Sequence, residues 1–147
     1  MRSSTFKDPQ LYIVDIFIAI DRIERYTAHI PGAQALLHDE MAWDATLKEL
    51  ENIGEAVKML LKHRLLDDEY KKVVDFRNII AHAYFGIDEE QVWYVVRNKL
   101  AELKRDLLKL ARAVGIDEAI DAAMVEYRHF PKTLQALRQL KKDTDAF

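Results

Sequence analysis

Apolar residues recur at intervals of three and four through most of the chain, and no stretch alternates strictly between apolar and polar, so the pattern is helical rather than stranded. Ile13, Ile16, Phe17, Ile20 and Ile23 draw one stripe. They predict an amphipathic helix over 9–29, with Pro9 well tolerated at its start and "HIPG" closing it. A second long helix is expected over 39–63, with Trp43, Leu47, Leu50, Ile53, Val57 and Leu60 or Leu61 on one face. Gly54 stands inside that helix, where it costs about 1 kcal/mol against alanine, and close approach by a neighbouring helix is the expected reason for it. A third helix should start at 67 or 68 and run through Val73, Val74, Ile79 and Ile80 toward Tyr84, with Gly86 as its stop. Asp88, followed three residues later by Gln91, has the form of a capping box. It opens a helix through Val92, Val96, Leu100, Leu103, Leu107 and Leu110 that ends near Gly115. Beyond it lie one short helix and a weakly apolar terminal helix from Pro131, a tail that either docks or frays. The expected fold class is all-α: an up-and-down four-helix bundle core with additional short C-terminal helices, in a single domain spanning 1–147.

Composition narrows the function. Of 147 residues half are apolar, enough for one sizeable core. A net charge of -3 argues against broad, nonspecific adhesion to nucleic acid, so any such role needs a local basic site. The absence of cysteine removes disulfides, thiolate metal sites and cysteine nucleophiles, and leans toward the cytoplasm. "MRSSTFKDPQ" carries no signal-peptide apolar region, and no apolar run approaches the roughly 20 residues of a membrane span. A soluble cytoplasmic protein without membrane partners is expected.

The chemistry concentrates in "DFRNIIAHAYFGID", residues 75–88. Arg77, His82 and Tyr84 bring together a permanent cation, a group titrating near neutrality and a phenol, a set suited to work on phosphates. A plainer reading pairs Arg77 with Asp75 or Asp88, makes His82 a satisfied helix-end histidine and packs Tyr84. Spacing alone does not choose between the two. Positions five apart on an ideal helix lie about 140° apart, so Arg77 and His82 do not share one narrow face. Either the helix is irregular around Ile80 and Ala81, or the same segment of a second subunit completes the site, which requires a homodimer. Competing constellations are weak. Glu126 and His129 form the one Glu-x-x-His pair, and neither a glycine-rich phosphate loop nor a G-x-S-x-G elbow is present. Lys71, Lys72, His63 and Arg64 read as solvated helix surface.

"RNIIAHAYFGID" resembles the R-x-x-x-x-H-x-Y segment of HepT-like toxins of the HEPN superfamily, including Asn78 directly after the arginine. "LENIGEAVKMLL" resembles the helix that precedes it in that family, and "DEEQVWYVVRNKLAELK" the helix that follows. The similarity covers about 11–110, and the extension at about 116–147 lies outside it. The resemblance implies a metal-independent endoribonuclease without cofactor, the toxin of a type VII toxin–antitoxin pair, cleaving RNA at a cleft where two copies of the motif meet in a homodimer. It implies His82 as general acid/base and Arg77 as the group that holds the scissile phosphate, with Asn78 and Tyr84 in support. It further implies an MntA-type nucleotidyltransferase antitoxin as partner, acting by adenylylation of Tyr84. The alternative is a noncatalytic helical module that binds a nucleotidyltransferase or presents substrate to it.

Overall fold

A computed structural model describes residues 8–82 and 86–146, and every regular element among them is helical. The helices are α1 (Pro9–Thr27), α2 (Ala33–His38), α3 (Glu40–Lys62), α4 (Lys71–His82), α5 (Glu89–Tyr94), α6 (Leu100–Val114), α7 (Asp117–Glu126) and α8 (Pro131–Asp145). A 3-10 turn, Asp68–Tyr70, leads directly into α4. The all-α expectation therefore holds, with three refinements. The helix expected over 88–115 contains one wide π-helical turn, Val95–Lys99, between α5 and α6. The short helix α2 has no counterpart in the sequence reading, because six residues burying only Ala33 and Leu36 are too few to display a period. The Asp88 carboxylate caps α5 by accepting from the Glu90 N–H at 3.0 Å, so the cap is present with its bond one residue earlier than a capping box places it.

α1 is the central helix. Ile13, Val14, Ile16, Phe17, Ile18, Ala19, Ile20 and Ile23 are all buried, which takes in most of its circumference. A helix apolar nearly all round needs neighbours on several sides. It finds them in α3, its most extensive partner, and in α6, α7 and α8. α3 offers Leu50, Ile53, Val57 and Leu60 to this core, and its Asp39 cap accepts from the Ala42 N–H at 3.1 Å. That N–H and His29 together hold the Asp39 carboxyl below the usual carboxylate range. At the other end Arg64 takes the left-handed conformation (φ 58°), with Leu65 N–H donating to Leu60 C=O, so α3 stops without the glycine usual there.

The tail docks rather than frays. Ile120 and Ala123 of α7 and Leu137 and Leu140 of α8 are buried, and the Arg22 guanidinium lies over the rings of Tyr127 and Phe130 at 5.2 and 5.4 Å. No helix among the described residues is long and apolar enough to cross a membrane.

α4 has a different situation. Its principal partner is α3, with the 3-10 turn at its start, so it forms an outer edge of the bundle. The turn is tied inward by the Tyr70 hydroxyl, which donates to the Asp106 carboxylate on α6.

Candidate active site

α4 shows how an edge helix can carry chemistry. Phe76 and Ile80 are buried, Val73 and Val74 are half-buried, and these four anchor the helix. Asp75, Asn78, Ile79 and His82, at intervals of three and four, make up the opposite, exposed face. Arg77 falls between the two faces, at the seam with α3. There it meets Gly54: a Cβ built on that glycine would stand 2.2 Å from Arg77 Cβ and 2.5 Å from Cγ. The close approach expected from a glycine inside α3 is thus real, and the group that approaches is the candidate phosphate-binding arginine.

From this seam the guanidinium is held by both terminal nitrogens. Nη2 lies 2.9 Å from Glu55 Oε1, and Nη1 donates to Asn78 Oδ1 at 3.1 Å. Its Nε is buried without a hydrogen-bond partner. The plainer pairing with Asp75 or Asp88 is not what forms; the acidic partner is Glu55, one residue beyond the glycine. An arginine has five N–H donors in a planar fork, so these two contacts leave donors available to an incoming anion. The Arg77 side chain remains 26 % exposed, within reach of solvent.

His82 is the last described residue of α4 and is exposed. It stands one helical turn beyond Asn78 on the outward face. α4 is regular through Ile80 and Ala81, so the irregularity that would have brought Arg77 and His82 onto one face is not found. The guanidinium bonds to Asn78, which lies one helical turn before His82 on the outward face. Tyr84 lies outside the described residues. Ile79, half exposed, adds an apolar group to the same outward face. Around the site, Lys71 and Lys72 are exposed, and Lys71 pairs loosely with Asp68 at 3.8 Å. Among the described residues no group of three or more carboxylate or histidine side chains is arranged to hold a metal ion.

Three residues escaped the sequence pattern. Glu55 is one of many exposed helix carboxylates, and only its position beside an unexpected glycine could have singled it out. Tyr70 and Asp106, 36 positions apart, carry no local signal at all.

The family model for ribonuclease HepT-like proteins matches residues 16–110, a span that includes α3, α4 and the Arg77–His82 segment. The chain belongs to the HepT-like family of the HEPN superfamily. It is 32% identical over 104 residues to a Thermococcus cleftensis protein named "Probable ribonuclease HepT", covering 69% of this chain and 94% of that one. It is 26% identical over 104 residues to a Methanocaldococcus jannaschii protein named "Putative RNase MJ1380", covering 69% of this chain and 94% of that one. A longer protein of the same organism, named "Gamma-glutamylcyclotransferase and putative RNase MJ0434", is 30% identical over 107 residues, with 71% of this chain covered but only 48% of the relative. No solved structure gives a significant match. The matched span stops within α6, so α7 and α8 lie outside the shared core.

Proposed function

We propose that this HepT-like protein is a metal-independent endoribonuclease, the toxin of a type VII pair, whose active centre is built from Arg77 and His82 with Asn78 and Tyr84 in support. The observation that carries the proposal is the Arg77 guanidinium, braced at the α3–α4 seam with donors to spare, close along the helix to an exposed His82. RNA holds its own nucleophile in the 2′-hydroxyl, so a protein site need only move protons and stabilise charge. His82 takes the 2′-hydroxyl proton, or supplies a proton to the departing 5′-oxygen, and an imidazole, with one nitrogen able to accept and the other to donate, is suited to either task. The 2′-oxygen bonds to phosphorus as the bond to the 5′-oxygen breaks, leaving a 2′,3′-cyclic phosphate and a 5′-hydroxyl. Arg77 binds the nonbridging oxygens and stabilises the charge that grows on them.

The roughly 140° between Arg77 and His82 on a regular α4 supports a composite site in a homodimer. Two copies of α4 facing one another bring the histidine of one to the arginine of the other, and the exposed Ile79 between Asn78 and His82 supplies apolar surface for that contact. The whole chain is read as one domain, a core over about 11–110 extended by the tail, and as cytoplasmic. The partner proposed is an MntA-type nucleotidyltransferase that adenylylates Tyr84, adding a phosphodiester charge beside the arginine that must receive RNA phosphate.

The test is to incubate the purified protein with cellular RNA in EDTA and to examine the new 3′ ends. Cyclic phosphate termini are expected, and intact RNA would refute the assignment. For the partner, mass spectrometry after co-expression should find AMP on the peptide carrying Tyr84; neutralisation with that peptide unmodified would remove the adenylylation step alone.

A further inference from the structure

Arg77 cannot hold its position by its own bonds to α4. Its long side chain has several rotatable torsions, and an exposed arginine samples many of them at a cost in ordering of the order of 2 kcal/mol. In this fold three neighbours remove that freedom. Gly54 admits the Cβ and Cγ against the backbone of α3, where any larger residue would collide. Asn78 accepts from Nη1 at 3.1 Å. Glu55, the residue after Gly54 on α3, takes Nη2 at 2.9 Å. Glu55 is half exposed and buries no core surface, so nothing about its own packing requires a carboxylate there.

We infer that Glu55 is a positioning residue for the reaction: with Gly54 it fixes the Arg77 guanidinium in the orientation that receives the scissile phosphate, and it does so across the α3–α4 seam. The inference rests on the ribonuclease reading above and adds to it a residue of the preceding helix. A guanidinium already braced on two sides loses little freedom when phosphate arrives, and its remaining donors point to a defined place before substrate binds. A carboxylate is the fitting brace because its hydrogen bond to an arginine is charge-assisted and directional. The opposite role is also chemically defined. A carboxylate on the arginine could act as a competitor that RNA phosphate must displace, in which case its removal would speed cleavage. The Asn78 contact and the Gly54 packing favour the brace: Asn78 holds the guanidinium through Nη1 and Gly54 seats the Cβ and Cγ of the stem, and neither is an anion that phosphate would have to replace.

The experiment is a double-mutant cycle on cleavage of a fluorophore-quenched single-stranded RNA of mixed sequence, using full-length protein. Variants are Glu55→Ala, Glu55→Gln, Arg77→Ala and Glu55→Ala combined with Arg77→Ala, each with its melting temperature. Glu55→Ala is expected to lower kcat by about 10- to 100-fold with KM changed little, because misplacement of about 1 Å in a catalytic group costs on that order. Glu55→Gln, which keeps an oxygen acceptor for Nη2, should restore most of the rate, to within about threefold of wild type. In the Arg77→Ala background Glu55→Ala should add nothing further, since it acts through the arginine. A faster Glu55→Ala enzyme, or one with a lower KM, would overturn the inference in favour of a competing anion. Additive losses would overturn it too, as would a lowered melting temperature with kcat intact. If Arg77→Ala itself cleaves like wild type, the ribonuclease reading of the site fails. If Arg77→Ala is inactive and Glu55→Ala is undiminished, only the role of Glu55 fails.

Discussion

Replacing Gly54 by alanine sets two effects of opposite sign against each other. Inside a helix, alanine is more favourable than glycine by about 1 kcal/mol, so propensity alone predicts a more stable protein. The new methyl, however, would stand 2.2 Å from Arg77 Cβ and 2.5 Å from Cγ. Comfortable carbon–carbon contact begins near 3.5–4.0 Å, so α3 and α4 must separate locally by roughly 1.3–1.8 Å, or Arg77 must leave the seam. Cβ is tied directly to the backbone, so a rotamer change moves Cγ but not Cβ, and part of the shift falls on α4 itself. Overpacking of this kind costs about 1–3 kcal/mol. The net expectation is a destabilisation of up to about 2 kcal/mol, which for a chain near this size lowers Tm by about 2–4 °C for each kcal/mol. Cleavage should suffer more than stability, because Arg77 moves by about the distance at which losses on the order of 10²-fold are met. Thermal melting by circular dichroism and single-turnover RNA cleavage on the same preparations measure both. A Gly54→Ala protein that melts higher than wild type and cleaves at the wild-type rate would refute the close approach and the argument built on it.

His82→Ala should lose about 10²- to 10⁴-fold in cleavage rate while retaining its helical content and melting temperature, because the ring is exposed on α4; circular dichroism beside the RNA assay checks both. Ile79→Glu should weaken the proposed dimer and reduce cleavage together without unfolding the protomer, and light scattering showing an unchanged oligomer with lost activity would argue against the α4 face as the contact. Tyr70→Phe removes the hydroxyl that donates to Asp106 and should cost about 1–3 kcal/mol, read from urea unfolding. Burial first, then the Asp106 carboxylate, raise the Tyr70 pKa well above its ordinary 10.0, so the folded state keeps the proton that the unfolded chain gives up. That part of the stability is present below about pH 10 and is lost as pH rises beyond it, so the gap between wild type and Tyr70→Phe should narrow on the alkaline side. A gap that widens there would contradict the assignment.

The sequence by itself determined the helical class, the positions of the long helices and the segment that carries the candidate site. These are local properties: the three-and-four spacing of Ile13 to Ile23, the Asp88 cap, and the placing of Arg77, Asn78 and His82 within one amphipathic stretch are all written over a few turns of chain. Even Gly54 announced a close neighbour, since an unexplained loss of helix propensity calls for a packing reason. Which neighbour it was, only the tertiary structure decided. Glu55 and Arg77 are 22 positions apart, and a carboxylate on an exposed helix face looks the same whether it faces water or a guanidinium across a seam. Tyr70 and Asp106, the docking of α7 and α8 on α1, and the placing of α4 at an edge with α3 as its main support depend likewise on how helices cross. Periodicity fixes which face of each helix is buried, but the contacts between faces distant in sequence come from packing the whole chain around α1.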